Sequence, residues 1–82
     1  MQKLNADNMF FKMGYNKIIE KNKLVYYKDN IQTGLRFNII FDIKRENVIL
    51  NCNEAPFYYK GFGINNNELK AIYEKAKEMG WK

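Results

Sequence analysis

An α+β fold is predicted, in the order α-β-β-β-β-α, with the strands in a four-stranded antiparallel meander and both helices on one face of it. Three observations predict it. Apolar residues recur at helical spacing only towards the two ends of the chain, and each stretch has asparagine before it and glycine after it. Between the two stretches the apolar period changes from 3.6 to two. The two clearest alternating runs then agree in parity across one short turn, as the two arms of a hairpin must.

The first helix is expected over residues 6–13. Asn5 is placed as its N-cap, Leu4 and Met9 are spaced as a hydrophobic staple, and Phe10 and Met13 continue the apolar face. Gly14 ends it and Tyr15 folds back. Residues 17–21 form a short edge strand, joined by a tight turn at Asn22 to a second strand over residues 24–28. A turn over residues 29–34 leads into the central strand, where Leu35, Phe37, Ile39, Phe41 and Ile43 alternate with Arg36, Asn38, Ile40 and Asp42. After a turn at residues 44–47, Val48, Leu50 and Cys52 alternate with Ile49, Asn51 and Asn53. The register expected is Ile43 opposite Val48, Phe41 opposite Leu50 and Ile39 opposite Cys52, which places Cys52 inside. The last helix is expected over residues 66–79. Asn65 and Glu68 have the spacing of a capping box, with Ile64 and Leu69 as the staple. Its core face is read as Leu69, Ile72, Tyr73, Ala76 and Met79, with Gly80 as the left-handed residue beyond it and Trp81 folding back on the last turn.

Composition bounds the function. Eighty-two residues make a single domain, residues 1–82, and 46% apolar with 16% aromatic residues is enough to fill one core. The chain has no histidine and no serine, and Thr33 is its one threonine, so serine and histidine triads and histidine metal sites are impossible. Cys52 is a lone cysteine without a histidine to activate it, and it reads as a small buried hydrophobe. Most carboxylates lie beside or within a turn of a lysine, the pattern of surface charge pairing. No catalytic residue, metal ligand or cofactor is therefore assigned, and a non-enzymatic binding protein is expected. The apolar runs are far too short for a membrane helix and no signal-peptide pattern is present, so a cytoplasmic protein without a membrane partner is expected.

Two sets of residues are candidates for binding. Tyr27, Arg36, Ile40 and Ile49 are expected on the outer face of the sheet, and Tyr58 and Tyr59 belong to an aromatic cluster with Phe57; together they suit a protein interface. Closing the core is the alternative use of the cluster. Lys17, Lys21, Lys23 and Lys28, with Lys60, are the candidates for nucleic-acid binding, since ammonium groups neutralise phosphates. Against that use, lysines commonly protect edge strands, and arginine, the better reader of bases, occurs only at Arg36 and Arg45. Asparagine (twelve), lysine (twelve) and isoleucine (nine) all have codons rich in A and T, so the net charge of +5 does not by itself argue for nucleic acid. Lys60-Gly61-Phe62-Gly63 matches the opening of the RNA-recognition signature, but Ile64-Asn65-Asn66-Asn67 departs from it. A monomer or an edge-paired homodimer is expected.

The segment Ile64-Asn65-Asn66-Asn67-Glu68-Leu69-Lys70-Ala71-Ile72, closing with Glu78-Met79-Gly80-Trp81, resembles small proteins encoded by phages and prophages of low-GC Gram-positive bacteria. Phe11-Lys12-Met13-Gly14-Tyr15 and Ile39-Ile40-Phe41-Asp42 extend the resemblance over most of the chain. The matching positions are core and capping residues. What the resemblance implies is a phage accessory protein that acts in the host cytosol by binding a host macromolecule, a protein in the first place, with inhibition of host defence among its modes of action. It implies no site residues.

Overall fold

The computed structural model describes residues 5–32, 34–53 and 64–81. Its elements are α1 (Ala6–Lys12), β1 (Asn16–Glu20), β2 (Lys23–Asp29), β3 (Arg36–Asp42), β4 (Asn47–Asn53) and α2 (Asn66–Glu78). The chain is α+β, and the four strands form one open antiparallel meander in the order β1-β2-β3-β4. It divides into two compact units, a sheet unit over Asn16–Gly63 and a helical unit that brings together Met1–Tyr15 and Ile64–Lys82.

In the sheet unit the alternation of side chains assigns every strand residue to one of two faces. Tyr26, Ile39 and Phe41 share one face and are fully buried, with the Tyr26 and Phe41 rings edge to face at 5.7 Å. We call this the Phe41 face and its opposite the Ile40 face. The hairpin between β3 and β4 has the expected parity, but its register differs by two residues. Phe41 lies opposite Val48, Ile39 opposite Leu50 and Phe37 opposite Cys52. The turn decides this. The Asp42 side chain accepts a hydrogen bond from the Arg45 amide at 3.1 Å, and Glu46 adopts φ +53°, so the chain reverses over residues 43–46. Ile43 is thereby removed from the strand to an exposed turn. Cys52, expected inside, moves towards the end of the sheet and is only half-buried. The β2–β3 connection closes by an Asx turn, in which Asn30 Oδ1 accepts from the Gln32 amide at 3.0 Å. Gly34 at φ +74° completes it.

In the helical unit the punctuation of both helices is as the sequence predicts. Asn5 Oδ1 accepts from the Asn8 amide, and Asn65 with Glu68 forms the full reciprocal capping box. Both helices end alike. Tyr15 N–H donates to Phe10 carbonyl and Gly14 N–H to Phe11 carbonyl, and Trp81 N–H donates to Ala76 carbonyl and Gly80 N–H to Lys77 carbonyl. These are two Schellman closures, with Gly14 and Gly80 in the left-handed region at φ +93° and +77°. The Phe10 and Tyr15 rings meet edge to face at 5.6 Å, the apolar contact that accompanies the first closure. Leu4, half of the proposed staple of α1, lies outside the described residues.

The buried face of α2 matches the expected one only in part, with Ile72, Ala76 and Met79 half-buried as part of it. Leu69 and Tyr73 are 54% and 67% exposed, whereas Glu68 and Ala71 are buried. The burial stripe is therefore turned towards Glu68 and Ala71 by less than one residue's roughly 100° around the helix. The cause is polar pairing. Tyr15 Oη donates a hydrogen bond to Glu68 Oε2, while Glu68 Oε1 accepts from the Asn65 amide at 2.8 Å. Two turns further along, Lys75 lies 3.5 Å from Asp7 and 3.7 Å from Glu78, and Glu78 Oε2 accepts from the Ala6 amide at 2.8 Å. Burying a carboxylate is costly only where its oxygens are left without partners, and here both Glu68 oxygens have them.

Candidate protein-binding surface

The Ile40 face of the sheet gathers the residues of greatest interest. Register places Ile18 opposite Val25, Val25 opposite Ile40, and Ile40 opposite Ile49. One β-branched side chain from each strand thus forms a continuous apolar row across all four. Val25 in the middle is buried, while Ile18 and Ile49 at the ends are each 41% exposed. The next row runs Asn16, Tyr27, Asn38 and Asn51, so an amide side chain flanks the apolar row on three strands and a tyrosine on the fourth.

Beyond Tyr27 the face is closed by a fixed cation. The Arg36 guanidinium lies 4.3 Å from the centre of the Tyr27 ring. It also grips Asp29 with both ends of its fork, Nε to Oδ1 at 2.6 Å and Nη2 to Oδ2 at 3.2 Å. Those hydrogen bonds hold the Asp29 carboxyl below the usual carboxylate range. The pair is exposed and adds little to stability. Its consequence is geometric, because a planar guanidinium held by two hydrogen bonds and stacked on a ring is fixed in position.

Of the residues proposed from sequence for protein binding, Tyr27, Arg36, Ile40 and Ile49 share this face. Tyr58 and Tyr59 lie outside the described residues. Sequence reasoning missed two further members of this face and one exposed residue outside the strands. Ile18 and Val25 extend the apolar row, and only the strand register identifies them. Ile31, at the tip of the β2–β3 connection, is 95% exposed. Its signal was available, since an isoleucine amid Asn30, Gln32, Thr33 and Gly34 is out of place in a turn made otherwise of polar residues and glycine.

Of the lysines proposed for nucleic-acid binding, the described ones are divided between both faces of the sheet and a turn. By register, Lys17 and Lys28 belong to the Phe41 face and Lys23 to the Ile40 face, while Lys21 sits in the β1–β2 turn. Lys17 lies 6.0 Å from the Tyr26 ring centre. Lys60 lies outside the described residues.

The helical unit carries a second, smaller feature, a groove of about 290 Å³ lined by Met9, Lys12, Met13, Asn67 and Lys70. Two flexible thioethers and two ammonium groups line it, with the Asn67 amide. Among the described residues no group of histidine, cysteine and carboxylate side chains is arranged to hold a metal ion, and no helix is long and apolar enough to cross a membrane. Comparison with protein-family models, with curated proteins and with solved structures gives no match to this chain.

Proposed function

We propose that this chain is a non-enzymatic accessory protein that binds another protein through the Ile40 face of its sheet. The observation that carries the reading is the registered apolar row Ile18–Val25–Ile40–Ile49 flanked by Tyr27 and the clamped Arg36. An apolar centre with a polar rim, an aromatic anchor and an arginine is the composition of a protein interface core. The dispersal of the lysines over both faces and a turn favours protein over nucleic acid as the partner. The resemblance to phage-encoded proteins supports a host protein in the cytosol as the partner, and stoichiometric inhibition of a host process, defence included, as the mode of action.

The test is affinity capture from a low-GC Gram-positive host with the chain as bait, beside the variant Ile18→Asp/Tyr27→Ala. Both substituted residues are on the Ile40 face and neither is fully buried, so the fold is retained, which circular dichroism checks. A host protein captured by the parent chain and lost at least tenfold by the variant supports the reading. Capture that is indifferent to the variant contradicts the assigned face. Recovery of nucleic acid alone, released by moderate salt, contradicts the assigned partner class.

A further inference from the structure

The two edges of the sheet are built differently. β1, Asn16-Lys17-Ile18-Ile19-Glu20, is five residues long and carries a cation near one end and a carboxylate at the other. Charges on an edge strand oppose the addition of a further strand, because pairing would desolvate them. β4, Asn47-Val48-Ile49-Leu50-Asn51-Cys52-Asn53, is seven residues long and has no charge and no proline. Among the described residues it pairs only with β3, and no other described strand lies along its outer row of backbone donors and acceptors. Ile49 and Leu50, adjacent in β4 and therefore on opposite faces, are both exposed.

The β4 sequence is also matched to itself. In antiparallel pairing with a second copy, with a two-fold axis at Leu50, position 47 meets 53, 48 meets 52, 49 meets 51, and Leu50 meets Leu50. Asparagine then meets asparagine at the ends, and apolar residues meet one another at the centre and at Val48 with Cys52. No like charges oppose each other anywhere along the strand. Residues directly opposite share a face, so the Ile40 faces of the two copies become continuous. The apolar row of one copy runs from Ile49 into Asn51 of the second copy, and so into its asparagine–tyrosine row.

We propose that the outer edge of β4 is a homodimerisation surface at which two copies of this chain pair antiparallel about Leu50, joining two four-stranded sheets into one of eight. The isologous symmetry follows from the use of the same strand twice. The inference stands apart from the partner-binding reading, because it is tested on the purified chain alone, by mass and by register.

Sedimentation or light scattering on the purified chain, from about 1 μM to about 1 mM, spans the affinities available to so small an interface. The expected result is a rise from 9.8 kDa towards twice that mass. Leu50→Lys sets two ammonium groups against each other at the axis and is expected to weaken association at least tenfold. Ile19→Lys, on the opposite edge, is expected to leave it unchanged. Register is read separately in a Cys52→Ala background by mixing an Ile49→Cys chain with an Asn51→Cys chain. Directly opposed strand positions have the Cα spacing a disulfide needs. The mixture is expected to cross-link on oxidation far more than either chain alone. A monomer throughout the range, association that survives Leu50→Lys, or cross-linking as strong in either chain alone would each overturn the proposal. Should Leu50→Lys fail to fold, the cross-linking arm decides by itself.

Discussion

Tyr15 and Glu68 form the most consequential single contact. Both are buried, and the phenol donates to a carboxylate whose other oxygen is engaged at the helix cap. Tyr15→Phe keeps the ring and its packing on Phe10 but leaves Glu68 Oε2 without this donor. A loss of about 1–3 kcal/mol in unfolding free energy is expected, read by denaturant titration. The pH dependence carries a second signature. Burial first, and then the hydrogen bond and negative charge of Glu68, push the Tyr15 phenol above its ordinary value. A raised value in the folded state means that the unfolded chain gives up this proton first as pH rises. The contribution of Tyr15 is therefore complete below about pH 10 and declines above it. The stability difference between the parent chain and Tyr15→Phe should narrow above that pH. A difference that stays constant through the alkaline range would show that Tyr15 is not held neutral by Glu68.

At the scale of the element, the two helices depend on their ends. Gly80 occupies φ +77°, and a Cβ built there meets nothing within 4 Å. Gly80→Ala therefore tests conformation without collision. An L-residue in the left-handed region costs about 1–2 kcal/mol, and the melting temperature should fall accordingly. No fall would mean that the helix ends differently when alanine is present, which amide exchange at Gly80 and Trp81 would reveal. Trp81 itself is half-buried, so its truncation should cost less than the roughly 3–5 kcal/mol of a buried tryptophan. The strands differ in kind from the helices. β1 and β2 meet at a tight turn, whereas β3 and β4 are joined by a turn whose geometry depends on Asp42 and on the positive φ of Glu46.

Across the whole molecule, the helical unit is assembled from the two ends of the chain. α1 has seven residues, and isolated helices shorter than about 12–15 residues are marginal in water. Its order therefore rests on contacts from the other end: Glu78 on the Ala6 amide, Lys75 on Asp7, and Glu68 on Tyr15. Removing Ile64–Lys82 should abolish both helices rather than one. Chemical shifts of residues 6–12 in the shortened chain should move to coil values. Helical shifts retained there would show that the Asn5 cap and local packing suffice.

Much of this was legible in advance because it depends on neighbours in sequence. An asparagine three residues before an amide, a glycine past the last apolar turn, and a change of period from 3.6 to two act over a few residues, and the caps, closures and strand order follow from them. Parity was legible for the same reason, and it placed Tyr27, Arg36, Ile40 and Ile49 on one face. Register was not. A shift of two residues preserves parity, and Val48, Leu50 and Cys52 are all apolar, so the pattern accepts either pairing and the Asp42 turn selects one. The turn of the α2 face towards Glu68 was also invisible. Leucine and tyrosine outrank glutamate and lysine for burial when each is judged alone. Glu68, however, meets Tyr15 from 53 residues away and Lys75 meets Asp7 from 68 away. Partners that distant exist only once the chain has folded, and they remove the desolvation cost that would otherwise keep those charges in water.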